Sequence, residues 1–158
     1  MLAGAAVSGC TVSVPSVPLD VPDVVRRSGA RQFAALRADL VRRDAALLNE
    51  LKLLQRCEAT ARRHRSLKAT LRPLAGDHRA HVRALLGMSD APVRRPETAR
   101  RVPADAGKAL AELRRAERRA VEARVADCVA ASSGELAALL AAIEASGAQH
   151  SSVLATVP

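Results

Sequence analysis

The chain has 158 residues, a length typical of a single domain. Hydrophobic residues make up 49% of it, yet Phe33 is its one aromatic residue, so Ala, Leu and Val dominate and favour helices over sheets. Lys and Arg total 25 against 16 Asp and Glu, which gives a net charge of +9. This composition excludes a disulfide scaffold, an acidic disordered tail and a polytopic membrane protein.

The first ten residues are mostly apolar or small and end in a cysteine. Among them, Val7-Ser8-Gly9-Cys10 resembles the lipobox of bacterial lipoprotein signal peptides, which implies lipidation of Cys10 and a lipid anchor on the outer surface of the cell membrane. No basic residue precedes Leu2, and the apolar run is shorter than the roughly 7–15 residues of a full signal peptide. We therefore expect residues 1–9 to be part of a signal peptide. The alternative is the frayed N-terminus of a cytosolic protein.

Residues 10–29 contain Pro15, Pro18 and Pro22 and lack a helical pattern, which predicts an extended tether. From about Ala30 to Arg63 no Gly or Pro interrupts the chain, and apolar residues recur largely at three- and four-residue steps. This pattern predicts a first helix with the apolar stripe Phe33, Leu36, Leu40, Leu47, Leu51 and Leu54.

A second helix is predicted to start near Ser66, because seam residues follow at alternating steps of four and three. Pro73 and Gly76 interrupt the pattern, so we expect either a kink or a helix that begins at Pro73. Gly87 is expected to end the helix as its C′ residue. The seam comprises Leu67, Leu71, Leu74, His78, His81 and Leu85.

The region 88–103 is rich in Pro and Arg and is predicted to be a crossover loop. A third helix is expected from about Ala104 to Ala131, and Ser132 and Glu135 have the spacing of a capping box that starts a fourth. The third helix carries the stripe Leu110, Leu113, Glu117, Val121 and Cys128. The fourth carries the seam Leu136, Leu140, Ile143, Gly147, His150 and Leu154.

These elements predict an all-α fold, an antiparallel four-helix bundle over residues 30–156. Tight joints make two helical hairpins, which the long crossover loop at 88–103 connects.

Polar residues within an apolar seam are informative, because buried polar groups need a partner. The candidates are distributed over all four predicted helices, and inward Glu and His side chains are how ferritin-like di-iron bundles build their sites. The candidate metal ligands are His78, His81, Glu117, His150 and Glu50.

The segments 71–81 and 123–132, the second followed by 141–150, resemble a ferritin-like domain family found in lipoproteins of high-G+C Gram-positive bacteria. The resemblance implies a ferritin-like bundle and a location at the cell surface, but it implies no defined reaction.

The chain departs from the di-iron pattern at two positions. A Glu-x-x-His pair in the fourth helix needs an acid three residues before His150, but that residue is Gly147. The same pair in the second helix needs an acid three residues before His81, but that residue is His78. We therefore expect no di-iron site, no cofactor and no enzymatic activity. Glu50 and Glu117 are expected to pair with Arg or His across the seam. A site for one iron or other transition-metal ion is the alternative.

Cys57 and Cys128 are predicted to be two buried thiols or a disulfide between the first and third helices. The crossover loop carries Arg94, Arg95, Arg100 and Arg101, which suit an anionic or protein partner because guanidinium groups match phosphate. Anionic lipid headgroups or a phosphate-rich cell-wall polymer are candidate partners of such a surface protein.

Three hypotheses of function follow. The leading one is a membrane-anchored, non-catalytic bundle that binds a partner of unidentified type or acts as a scaffold. The second is a metal-binding ferritin-like protein. The third, for a cytosolic chain, is a basic nucleic-acid-binding protein, which the near absence of aromatic residues disfavours.

Overall fold

The computed structural model describes residues 23–88 and 101–157. Its elements are helix α1 (Asp23–Arg63), a 3₁₀ turn (Arg65–Leu67), and helices α2 (Lys68–Leu86), α3 (Ala106–Ala130) and α4 (Gly134–Ala155). The described residues contain no strand. The prediction of an all-α chain with four long helices is confirmed.

The helices pack as two pairs, α1 with α2 and α3 with α4. Less extensive contacts join α1 to α3 and α2 to α4. The C-terminal end of α1 meets the N-terminal end of α3, because the Arg63 Nε and His64 Nε2 atoms lie 3.0 and 2.9 Å from the Pro103 carbonyl oxygen. The first and third helices are therefore antiparallel.

At the other end of the molecule, Asp39 of α1 joins the turn between α3 and α4. Its carboxylate accepts hydrogen bonds from the backbone N–H groups of Ser132 (3.0 Å) and Ser133 (2.7 Å). Together with Arg42, these bonds hold the pKa of Asp39 below its usual value. Helix α2 ends near this turn, whereas α3 begins at the opposite end. The predicted crossover loop at 88–103 lies largely outside the described residues.

Two apolar clusters form the core, one toward each end of the helices. One contains Cys57, Leu67, Leu71, Leu74, Ala75, Leu110, Leu113 and Leu154. The other contains Ala46, Leu47, Val82, Leu85, Leu136, Leu140 and Ile143. Every predicted seam residue of α4 is buried, and in the predicted seam of the second helix His81 alone is half-buried.

The predicted stripe of the first helix is wrong over its N-terminal part. Phe33, Leu36 and Leu40 are 64%, 57% and 47% exposed, whereas Leu47 is buried. Helix α1 has 41 residues against 19 to 25 in the other helices, so it extends past them. Asp39 contacts the turn between α3 and α4, and the exposed Phe33 and Leu36 lie on the part of α1 before this contact.

Several predicted boundaries also change. Helix α1 begins at Asp23, so residues 23–29 of the predicted tether are helical; Ser28 and Gly29 lower helix propensity without ending the helix. Helix α2 begins at Lys68 and includes Pro73, so the start at Pro73 is wrong. Gly87 does cap this helix, but with a right-handed φ of −63°, not as a left-handed C′ residue.

The start of α4 is one residue later than the predicted capping box. Ser133 is the N-cap, and its Oγ accepts a hydrogen bond from Leu136 N at 3.3 Å. The backbone N–H groups of Ser132 and Ser133 both donate to Asp39, which holds this turn against α1. In the C-terminal half of the third helix the buried face differs from the predicted stripe. Val121 and Cys128 of the stripe are half-buried, whereas Ala120 and Arg124 are buried.

We predict that Leu47→Ala lowers the free energy of unfolding by about 2–5 kcal/mol, the usual effect of leaving a cavity in a core. Leu36→Ala is the matched control on the same helix, and exposure should limit its effect to about 0.5 kcal/mol. Denaturant unfolding followed by far-UV circular dichroism measures both. A loss at Leu36 as large as that at Leu47 would show that something covers this end of α1.

Candidate metal centre

A layer of buried polar side chains separates the two apolar clusters, with at least one residue from each helix. It holds all five predicted metal ligands: Glu50 from α1, His78 and His81 from α2, Glu117 from α3 and His150 from α4. All are buried except His81, which is half-buried. The helical periodicity of the sequence therefore identified these residues correctly as neighbours.

His78 lies at the centre of this layer. Its Nδ1 atom is 2.8 Å from Glu50 Oε2, and its Nε2 atom is 2.9 Å from Glu117 Oε1. Ionised carboxylates only accept hydrogen bonds, so both ring nitrogens donate and the ring is an imidazolium. Burial opposes this charge, but interactions with Cys57, Glu117 and Glu50 outweigh it and raise the pKa of His78 to about 12.

Glu50 joins the two histidines of α2. Its Oε2 atom lies 2.8 Å from His78 Nδ1 and 2.9 Å from His81 Nδ1. Burial raises the pKa of this carboxyl, but the hydrogen bonds to the two rings have the larger combined effect and lower it to about 2. The expected pairing of Glu50 and Glu117 with histidine is thus present.

Glu117 and His150 each keep one buried atom without a hydrogen bond. Glu117 Oε2 and His150 Nδ1 lack a partner, and at 3.9 Å they are too far apart to bond each other. The other ring nitrogen of His150 lies 3.2 Å from Asp77 Oδ2 and 3.4 Å from Ser146 Oγ. Burial raises the pKa of Glu117, and His150 and His78 lower it to a net value below the usual one.

Cys57 is a further buried side chain beside His78. Its thiol, one His78 ring nitrogen and a Glu117 oxygen all lie within 4.8 Å of one another. Burial raises the pKa of Cys57, so the thiol is neutral at pH 7. Cys57 and Cys128 are both free: Cys128 is half-buried and donates to the Ala137 carbonyl at 3.3 Å. The alternative of a disulfide between them is therefore not seen.

Arg124 is a buried cation that the sequence analysis did not select. Its Nη2 atom lies 3.2 Å from Asp127, and its Nε and Nη1 atoms have no hydrogen-bond partner. It lines a small cavity with Glu50, and the two interact electrostatically. A seven-residue step from Glu117 leads to Arg124, so heptad spacing was a signal that could have identified it.

Gly147 occupies the position where a ferritin-like Glu-x-x-His pair would carry its acid. A Cβ atom at this position would lie 2.9 Å from Val121 Cγ2 on α3, closer than such atoms approach. The β-branched Val121 has little freedom to move aside. An acid at position 147 therefore does not fit, and the expected incompleteness of the fourth helix has a steric basis.

Three residues of the layer can form a ligand set for one ion. One ring nitrogen each of His78 and His81 and a Glu50 oxygen lie within 4.8 Å of one another. Two imidazoles and one carboxylate are a ligand set typical of iron and other divalent transition metals. The cavity beside them has a volume of about 10 Å³, enough for a single ion or water, and is lined in part by Glu50, His78, His81 and Glu117.

The other predicted site residues are separate from this layer. Cys10, Arg94, Arg95 and Arg100 lie outside the described residues. Arg101 is exposed and lines a different cavity, between α1 and α3.

Comparisons with protein-family models, with curated proteins and with solved structures find no match to this chain. Over the two described ranges, no helix combines the length and apolar character that crossing a membrane requires.

We predict that the metal-free protein loses stability as the pH rises from about 6.5 to 8.5. His78 stays protonated in the folded state, where its pKa is about 12, but loses its proton in the unfolded state near 6.5. The contribution of His78 to the free energy of unfolding is therefore complete below pH 6.5 and is lost progressively as the pH approaches 12. Denaturant unfolding in the presence of a chelator measures this slope.

His78→Gln should flatten the slope, since no imidazolium remains between the carboxylates, and His64→Gln, outside the layer, should keep it. A wild-type stability that is constant or rises over this pH range would contradict a charged His78.

Proposed function

We propose that this protein binds one divalent transition-metal ion inside its helical core, with Glu50, His78 and His81 as ligands. The observation that carries the proposal is the convergence of these three donor atoms within 4.8 Å of one another. We propose binding rather than catalysis. This assignment favours the metal-binding hypothesis over a bundle without a ligand, while it keeps the non-catalytic character expected from the sequence.

The side chains around the three ligands support this role. When His78 binds the ion through Nδ1, its Nε2–H donates to Glu117 Oε1, which lies 2.9 Å away. A carboxylate behind a metal-bound imidazole fixes the orientation of the ring and makes it a stronger ligand. Glu117 is thus a positioning residue, and binding requires the loss of one proton from His78.

Two features favour one ion over two. Gly147 supplies no carboxylate, and Val121 leaves no space for one. Arg124 also places a fixed positive charge beside Glu50, in the cavity next to the ligands. A second cation there would be repelled by the guanidinium group.

We predict that chelator-treated protein binds Co²⁺ with a stoichiometry of one per chain and releases about one proton at pH 7. Isothermal titration calorimetry in two buffers of different ionisation enthalpy measures both quantities. His81→Ala should weaken binding by at least about tenfold, since even residues that only orient a ligand typically contribute that much.

His64→Ala is the matched control: this histidine is half-buried, contacts the Pro103 carbonyl and lies outside the layer, so its loss should leave Co²⁺ binding unchanged. Arg124→Met, which removes the neighbouring charge, should strengthen binding. The proposal fails when the wild type binds no stoichiometric Co²⁺, or when His64→Ala and His81→Ala weaken binding equally.

We further propose a ferritin-like architecture and a lipid anchor for this chain. The pairing of α1 with α2 and of α3 with α4, and a long connection between the pairs, support the architecture. The residues Val7-Ser8-Gly9-Cys10 support the anchor, which would hold a metal-binding bundle at the outer surface of the cell membrane.

For the anchor we predict that the protein, expressed from its own locus, fractionates with membranes and carries a lipid-modified Cys10 as its N-terminal residue. Cys10→Ser should release it from the membrane, and Cys128→Ser should not. Mass spectrometry of the N-terminal peptide is the deciding measurement. An unmodified Met1 peptide in the cytosolic fraction would rule out the anchor.

A further inference from the structure

A groove between α1 and α3 is lined by arginine side chains. It contains a cavity of about 210 Å³, which has one acid, Glu112, among its lining residues. A second cavity of about 320 Å³ adjoins it, because the two share Arg56 and Arg119. We call this feature the basic groove, and its cationic residues are Lys52, Arg56, Arg101, Arg115 and Arg119.

The groove exists because α1 and α3 face each other through small side chains. Ala116 and Ala120 form a minor apolar cluster with Leu53, and they line the floor of the second cavity. The end of the groove near Arg101 is fixed by the bonds from Arg63 and His64 to the Pro103 carbonyl. The cationic residues thus lie on α1, on α3 and on the short segment before α3 that is held by hydrogen bonds to Pro103.

Few acidic groups face the cations of the groove among the described residues, where Glu112 is the one acid in its lining. Several arginines elsewhere have acidic partners, as Arg79 does in Glu58 at 2.7 Å. Within the described ranges, none of the five cations forms an ion pair. Lys52 and Arg56 are four residues apart on α1, and Arg115 and Arg119 are four apart on α3, and such like-charged pairs repel each other.

The shape and chemistry of the groove suit phosphate groups. The planar guanidinium donates two parallel hydrogen bonds to phosphate oxygens. On α1 the lining residues extend from Asn49 to Thr60, a length of about 17 Å, so several phosphates of an extended ligand fit along it. None of the described lining residues is aromatic, so nucleic acid bases would have no side chain to stack on.

We propose that the basic groove binds an extended anion that carries several phosphate groups. The phosphates can belong to a soluble polyphosphate or to the headgroups of a lipid surface; the recognition chemistry is the same. The guanidinium groups of Arg56 and Arg119, which are shared by both cavities, are its central contacts. This site is separate from the proposed metal site, and neither proposal depends on the other.

The test uses metal-free protein, because polyphosphates chelate metal ions. Calorimetry with tripolyphosphate at low ionic strength should show binding that weakens as salt is added. Arg56→Ala with Arg119→Ala should reduce the affinity by at least about tenfold, the effect of one lost charge-assisted hydrogen bond. Arg72→Ala with Arg118→Ala removes the same charge from exposed positions outside the groove and should change the affinity by less than about twofold.

Comparison of tripolyphosphate with one further probe identifies the source of the phosphates. Sedimentation with phosphatidylglycerol vesicles, lost in the groove variant and retained in the control variant, would assign them to a lipid surface. Binding of tripolyphosphate with the same dependence would assign them to a soluble ligand. The proposal is overturned when both variants lose affinity equally, when neither probe binds, or when single-stranded DNA of matched charge binds more tightly than either. Circular dichroism confirms that both variants are folded.

Discussion

A buried imidazolium held between two carboxylates sets the register of this bundle. Moving a charge out of water costs several kcal/mol, and the cost is offset only when His78 meets both Glu50 and Glu117. Leu and Ala clusters tolerate repacking, so they alone would not fix how far one helix slides along another. A shift of one helical turn, about 5.4 Å, would leave a charge buried without its partner. The polar layer thus selects one alignment of α1, α2 and α3.

Much of this arrangement could be predicted from helical periodicity alone. The seam of α4, from Leu136 to Leu154, is buried as expected, and the same alternating steps identified His78 and His150 as inward residues. Periodicity does not reveal where a neighbouring helix ends, which is why Phe33 and Leu36 were wrongly placed in the core. Local capping patterns had a similar weakness, because the spacing of Ser132 and Glu135 predicts an N-cap one residue before the actual one, Ser133. The turn that holds Ser133 also depends on Asp39, which is distant in sequence.

Other features formed between helices were not predicted. Arg124 followed the heptad spacing of Glu117, but its charge argued for the surface, and only the fold shows it buried beside Glu50. The contact between Gly147 and Val121 depends on the distance between α3 and α4. Arg56 and Arg119 are 63 positions apart in sequence and share two cavities. Such proximity follows from the packing of α1 against α3, which no local pattern encodes.

Glu50, His78 and His81 all belong to the hairpin of α1 and α2, whereas Glu117 and His150 come from the other hairpin. On the proposed assignment, one half of the protein can therefore capture an ion before the second half docks over it. The hairpin of α3 and α4 would then orient the ligands and exclude water, and it would supply no ligand itself. An ion bound in this way would favour the closed assembly by mass action, so metal supply and completion of folding would be coupled.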